Sequence, residues 1–184
     1  MNIITKSQLR SIGESYVRTF SAQKLSDSVN ESKTRSSYYN EITVFLSHKH
    51  SDKEELSRAI ALLKKLGVAV YVDWLDVEMP QKTSGVTAAK IKDKIKANKK
   101  FVLLATEDAI ASKWCNWELG YGDAQKYINH IAILPVKNDY SDFSGSEYLQ
   151  IYPVISQKYS FIDTDFIVTY PNGITKSLQE WLQL

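Results

Sequence analysis

The chain has 184 residues, 43% of them hydrophobic and 24% charged, which fits one globular domain able to bury a substantial core. A formal net charge of +2 is too small to imply a nucleic-acid partner, and the single cysteine, Cys115, excludes an intrachain disulfide or a zinc site built on paired cysteines. No apolar run reaches the length of a membrane span, and MNIITKSQLRSIGESYVRTF lacks a signal-peptide core, so a cytoplasmic protein with no membrane partner is expected.

Residues 1–38 are rich in serine. Leu9, Ile12, Tyr16 and Phe20 recur at the three- and four-residue steps of an amphipathic helix, and SDSVNESKTRSS reads as a linker. This N-terminal helical extension reads as a helix packed on the domain or as a frayed tail; the alternative is an oligomerisation element. The compact domain is placed at residues 39–184.

EITVFLSH reads as a buried first strand. In SDKEELSRAIALLKKLG, Ser51 and Glu54 have the spacing of a capping box. Leu56, Ile60, Leu63 and Leu66 form a helical stripe, and Gly67 is placed to end it. VAVYVDW is a second buried strand, completing a right-handed βαβ unit. LDVEMPQKTSG, with Pro80 and Gly85, is a long polar connection of the kind that tends to carry function. VTAAKIKDKIKANKK predicts a helix with Ala88, Ile91 and Ile95 inward, and KFVLLATE a third strand.

SKWCNWELGYGDAQKYI predicts a helix that frays or kinks at Gly120 and Gly122. HIAILPVKND predicts a fourth strand ended by Pro135. DYSDFSGSEYLQIYP carries little periodic signal, and SFIDTDF is a weaker fifth strand. GITKSLQEWLQL closes the chain as a helix with Leu178, Trp181 and Leu182 inward. The alternation predicts an α/β fold, a parallel sheet with helices on both faces.

No G-x-G-x-x-G follows the first strand, and no P-loop or G-x-S-x-G elbow is present. His48, His50 and His130 lack the spacing of a two-histidine zinc motif, so no metal centre is expected. Cys115, beside Trp114 and without an evident base, reads as a packed thiol. Lys90, Lys92, Lys94, Lys96, Lys99 and Lys100 read as a solvated helix face. A nucleic-acid surface is the alternative, and the run lacks the aromatic platforms it would need.

In a helix Trp114, Trp117, Glu118 and Tyr121 fall at i, i+3, i+4 and i+7 and share one face. One reading is packing, with the tryptophans in the core and Glu118 in water. The other is a site, because an aromatic face stacks a planar or cationic ring and a carboxylate set within it holds its proton more tightly. SHKHSD, DWLDVEMP and TEDAIASKW all lie at carboxyl ends of strands, where open parallel sheets bind ligands. Backbone N–H groups near Ser51 would suit a phosphate.

ITVFLSHKHSDKE, VAVYVDW, KKFVLLATEDAIASKWC and WCNWELGYG together resemble the TIR domain family, in its bacterial stand-alone branch, from about Tyr39 to the C-terminus. The resemblance implies a flavodoxin-like fold with a five-stranded parallel sheet. It implies an NAD+ glycohydrolase or cyclase that cleaves the nicotinamide–ribose bond, with NAD+ as substrate and no cofactor. The W-x-x-x-E segment puts the catalytic glutamate at Glu118, with Trp114 or Trp117 shaping the ring pocket. Asp73 and Trp74 match substrate-side positions, and Phe45, Ser47 and His48 the first-strand rim. LDVEMPQ lacks the Pro-Gly pair frequent in the family. The resemblance also implies self-association through TIR–TIR contacts, a site completed by a neighbouring domain, and a product sensed by a downstream effector in antiphage defence of the Thoeris kind. Two rivals are a non-catalytic TIR interaction module and a sensor that binds a nucleotide without turnover.

Overall fold

A computed structural model describes residues 2–17, 42–76, 84–143, 145–158 and 165–184, without the side chains of 13–17. In chain order the elements are β1 (Ile4–Thr5), α1 (Lys6–Val17), β2 (Thr43–Ser47), α2 (Lys53–Lys65) and β3 (Ala69–Tyr71). Then come α3 (Gly85–Ala97), β4 (Lys100–Ala105), α4 (Glu107–Ala111), α5 (Lys113–Gln125) and β5 (Ile131–Lys137). The chain ends with β6 (Val154–Gln157), β7 (Phe166–Thr169), β8 (Thr175–Ser177) and α6 (Leu178–Gln183). Among the described residues no helix is long and apolar enough to cross a membrane.

Five parallel strands run in the order β3-β2-β4-β5-β6, that of a flavodoxin-like doubly wound sheet. The sheet is larger than the five strands expected. β7 and β8 extend it antiparallel, and β1 pairs with the end of β5 at Val136 and Lys137. The fifth parallel strand is Val154–Gln157 rather than SFIDTDF, whose residues 160–164 lie outside the described residues; Phe166 opens antiparallel β7. Apolar periodicity marks a strand but carries no information about its direction.

Two apolar layers flank the sheet. Val44 and Leu46 face Leu9 of α1, Leu56, Ile60 and Leu63 of α2, and Trp181 of α6. Phe45 and Phe101 face Ile91 and Ile95 of α3, Ala109 of α4, and Cys115 and Leu119 of α5. The alternation along β2 therefore sends Ser47 to the α5 side. Within the described part of the N-terminal extension, residues 2–17, β1 joins the sheet and Leu9 is fully buried, as a helix packed on the domain would be. The Tyr16 side chain, Phe20 and the linker lie outside what is described.

Several local expectations are corrected. The capping box at Ser51 does not form: Asp52 is the N-cap, its carboxylate accepts from the Thr106 hydroxyl, and Glu54 is held by Arg10 and Arg58. β5 continues through Pro135. The Ile133 N–H donates to Pro153 O at 2.8 Å, so position 135 faces the same side, past the one register pair with β6, where a missing N–H forfeits no ladder bond. α5 runs unbroken through Gly120 and Gly122, and TEDAIASKW contains the separate helix α4, capped by Thr106. Ala88 is only half-buried, and Thr87 takes the inward position and closes a capping box with Ser84. Lys100 is no part of a solvated face. It is fully buried on β4, donates to Asn129 O at 3.1 Å, stands 4.6 Å from the Trp181 ring centroid, and is pushed down to about 8 by burial. Gly67 adopts φ +76°, as a helix-ending glycine should.

Candidate active site

Glu118 is placed by two local features. α5 begins at Ser112, whose side chain accepts from the Cys115 N–H at 3.4 Å, and Cys115 and Leu119 seat the helix on the sheet. One turn beyond Glu118, Gly122 lies so near β4 that a Cβ there would stand 3.1 Å from the Phe101 ring. A glycine lowers helix propensity, but here it lets the helix approach the strand closely, and packing wins over propensity. The approach brings Glu118 to Ser47, the last residue of β2.

The Ser47 hydroxyl donates to Glu118 Oε2 at 2.6 Å. Glu118 is 2% exposed. Burial, reinforced by the negative charge of Asp73, pushes its carboxyl up to about 8; hydrogen bonds from Ser47 and the Trp114 indole act in the opposite direction. Asp73 opens a short 3-10 turn after β3. Its Oδ1 lies 3.8 Å from His48 Nε2, and His48 Nδ1 donates to Leu46 O at 3.2 Å. Burial holds the His48 imidazole below its ordinary value, against the pull of Asp73. The Cys115 thiol donates to His48 O at 3.2 Å and is pushed up to about 11 by burial, as a packed thiol is.

The aromatic residues are arranged the opposite way from the packing reading. The acid is buried, while Trp114, Trp117 and Tyr121 are half-buried and form a stacked ledge along α5. The Trp114 and Trp117 centroids are 5.0 Å apart, and Trp117 and Tyr121 stack at 6.2 Å. The Lys92 ammonium sits 5.0 Å from the Tyr121 centroid and 5.9 Å from that of Trp117, so the ledge already holds a cation.

Ser47, His48, Asp73 and Glu118 thus converge where β2, β3 and α5 meet. Trp74 stands at the edge, 42% exposed, with the Lys53 ammonium 5.8 Å from its ring. Phe45 does not reach the open side: it is 1% exposed and stacked between Tyr71 and Phe101 at 5.6 and 5.5 Å. The LDVEMPQ loop falls on residues 77–83, outside the described residues. Sequence reasoning missed the ties that fix the turn before it. Tyr71 donates to Asp76 at 2.9 Å and Lys94 pairs with Asp76 at 3.2 Å, and no spacing rule links these positions. It also missed His50, whose ring lies 5.7 Å from that of His48. An apolar cavity of about 350 Å³ beside β5 and β6, lined by Pro135, Leu149, Tyr152 and Tyr170 among others, holds no carboxylate or histidine and is not this site.

Residues 44–165 match the TIR domain family, and the chain belongs to that family. It is similar to the probable 3′ cyclic ADP-D-ribose synthase ThsB′ of Bacillus cereus, 32% identical over 161 residues, covering 85% of this chain and 81% of that protein. It is also similar to the 2′ cyclic ADP-D-ribose synthase AbTIR of Acinetobacter baumannii, 33% identical over 110 residues, 56% of this chain and 39% of that protein. A third relative is the probable 2′ cyclic ADP-D-ribose synthase TcpO of Methanobrevibacter olleyae, 28% identical over 149 residues, 77% of this chain and 42% of that protein.

Proposed function

We propose that this protein is a TIR-type NADase that breaks the nicotinamide–ribose bond of NAD+ and closes the remainder into a cyclic ADP-ribose, a signal in antiphage defence of the Thoeris kind. The observation that carries the reading is the buried Glu118 carboxyl, hydrogen-bonded to Ser47 beneath a half-exposed aromatic ledge. Relatives named as cyclic ADP-ribose synthases support the product class.

The chemistry needs one acid. Nicotinamide is cationic in NAD+ and leaves as a neutral molecule, so no proton has to reach it. Positive charge then develops on the ribose, as in glycoside hydrolysis. An ionised Glu118 against the sugar stabilises that charge and orients the ribose hydroxyls. Burial and Asp73 favour the protonated acid in the free protein. A cationic substrate between the two acids shifts the balance back toward the carboxylate. Trp114 or Trp117 flanks the ring, and Asp73, His48 and Trp74 border the substrate. A cleft that excludes water favours capture of the ribose by a group of the same molecule, hence a ring rather than free ADP-ribose. Self-association through TIR–TIR contacts completes the site, and a downstream effector reads the product.

The experiment is incubation of purified protein with NAD+, chromatography for free nicotinamide, and mass spectrometry of the product against 2′- and 3′-linked cyclic standards. Release of nicotinamide with a product of cyclic mass supports the proposal. No release at high protein concentration, with or without crowding agents, favours a non-catalytic interaction module.

A further inference from the structure

His48, His50 and Asp73 bring one ligand atom each to within 4.8 Å of one another. The histidines lie on the loop after β2 and Asp73 on the turn after β3, so adjacent strand ends assemble the group. The hydrogen bond from His48 Nδ1 to Leu46 O fixes the tautomer and leaves the lone pair on Nε2. That Nε2 is buried without a hydrogen-bond partner, on a side chain 2% exposed, and it faces Asp73 Oδ1 at 3.8 Å. Two acceptors opposed across a buried gap call for a donor or a cation between them. An imidazole whose far nitrogen is held by a backbone carbonyl has the outer-sphere support that metal-binding histidines use.

The spacing suits an ion. Two ligands of one tetrahedral zinc stand about 3.3 Å apart, so His48 and Asp73 need only a small adjustment. The exposed His50, with its ring edge-on to His48 at 72°, closes the remaining distance by rotation. Two imidazoles and one carboxylate favour a transition metal over magnesium or calcium. The sequence gives no zinc motif because the histidines are two apart on a loop and the third ligand comes from another strand.

We infer that His48 Nε2, His50 and Asp73 form a site for one divalent transition-metal ion of the zinc class, and that the bound ion blocks NAD+ cleavage at Glu118. The inhibitory part rests on the proposed function. A dication there occupies His48 and Asp73 and repels the pyridinium ring that must approach the same acids.

The test uses the full chain, freed of metal with a chelator. Cobalt(II) is titrated and its visible absorption bands followed, with zinc binding measured by calorimetry. One ion per chain is expected, with affinity at least about tenfold weaker in His50→Ala and unchanged in His130→Ala. Absent cobalt bands, or equal binding by His50→Ala, would overturn the metal site. NAD+ cleavage is then measured against zinc, each protein relative to its own metal-free rate. The wild type should be inhibited and restored by chelator, and His50→Ala should need at least tenfold more zinc. Stoichiometric binding with no loss of cleavage overturns the inhibitory part. A chain that binds cobalt but never cleaves NAD+ overturns the proposed function and leaves the metal site standing.

Discussion

The Ser47 hydroxyl crosses 71 residues of sequence to donate a 2.6 Å hydrogen bond to Glu118. It ties the end of β2 to α5 and opposes the burial that keeps the acid protonated. Ser47→Ala removes that donor at a buried position. At pH 7 kcat/KM should fall about tenfold, and the pH midpoint of kcat/KM should move upward. Ser47→Thr, which keeps a hydroxyl, should recover part of the loss. Nicotinamide release as a function of pH measures both.

The Glu118 carboxyl sits at about 8 in the folded chain against an ordinary 4.5. Catalysis by the ionised form makes kcat/KM rise with pH through about 8, and a falling profile would contradict it. The stability linkage has the opposite sign. Below 4.5 the acid is neutral in both folded and unfolded states; between 4.5 and 8 only the folded state keeps the proton, so stability drops as pH rises through that window. Glu118→Gln removes the titration, and the variant should gain on the order of 4 kcal/mol over wild type between pH 4 and pH 8. Urea denaturation at the two pH values measures the difference.

Gly120 and Gly122, both read as kink points, should respond differently to a methyl group. A Cβ at Gly120 meets nothing within 4 Å, whereas one at Gly122 meets Phe101 at 3.1 Å. Gly120→Ala should stabilise by up to about 1 kcal/mol through helix propensity. Gly122→Ala should gain less or lose stability, and should lower activity by shifting α5 and its glutamate. Paired urea melts and rates test the contrast.

The legible part of the fold was the part written in periodicity. The buried runs of β2, β3, β4 and β5 and the stripe of α2 needed no tertiary context. Helical spacing puts Trp114, Trp117, Glu118 and Tyr121 on one face, but it does not say which of them is buried. That depends on how closely α5 approaches Phe101, a distance set by an absent side chain at Gly122. The family resemblance puts Phe45 at the first-strand rim, yet alternation and ring stacking keep it beneath the site. The convergence of Asp73 with His48 follows from β3 lying beside β2, a pairing that no local pattern states. β1, β7 and β8 escaped because two- to four-residue strands leave too little periodicity to read.

If like domains complete one another's sites, nicotinamide release per chain should rise with protein concentration and with crowding agents. A rate per chain constant across a hundredfold dilution would argue for a site that is complete in one chain.

If the Glu118 carboxylate performs the cleavage, removing its charge alone should abolish it. Wild type and Glu118→Gln are compared for nicotinamide release from NAD+ at equal concentration, near pH 8, with circular dichroism to confirm that both are folded. The amide, which keeps the shape and loses the charge, should cut the rate by about a thousandfold. Release by a folded Glu118→Gln at the wild-type rate would contradict it.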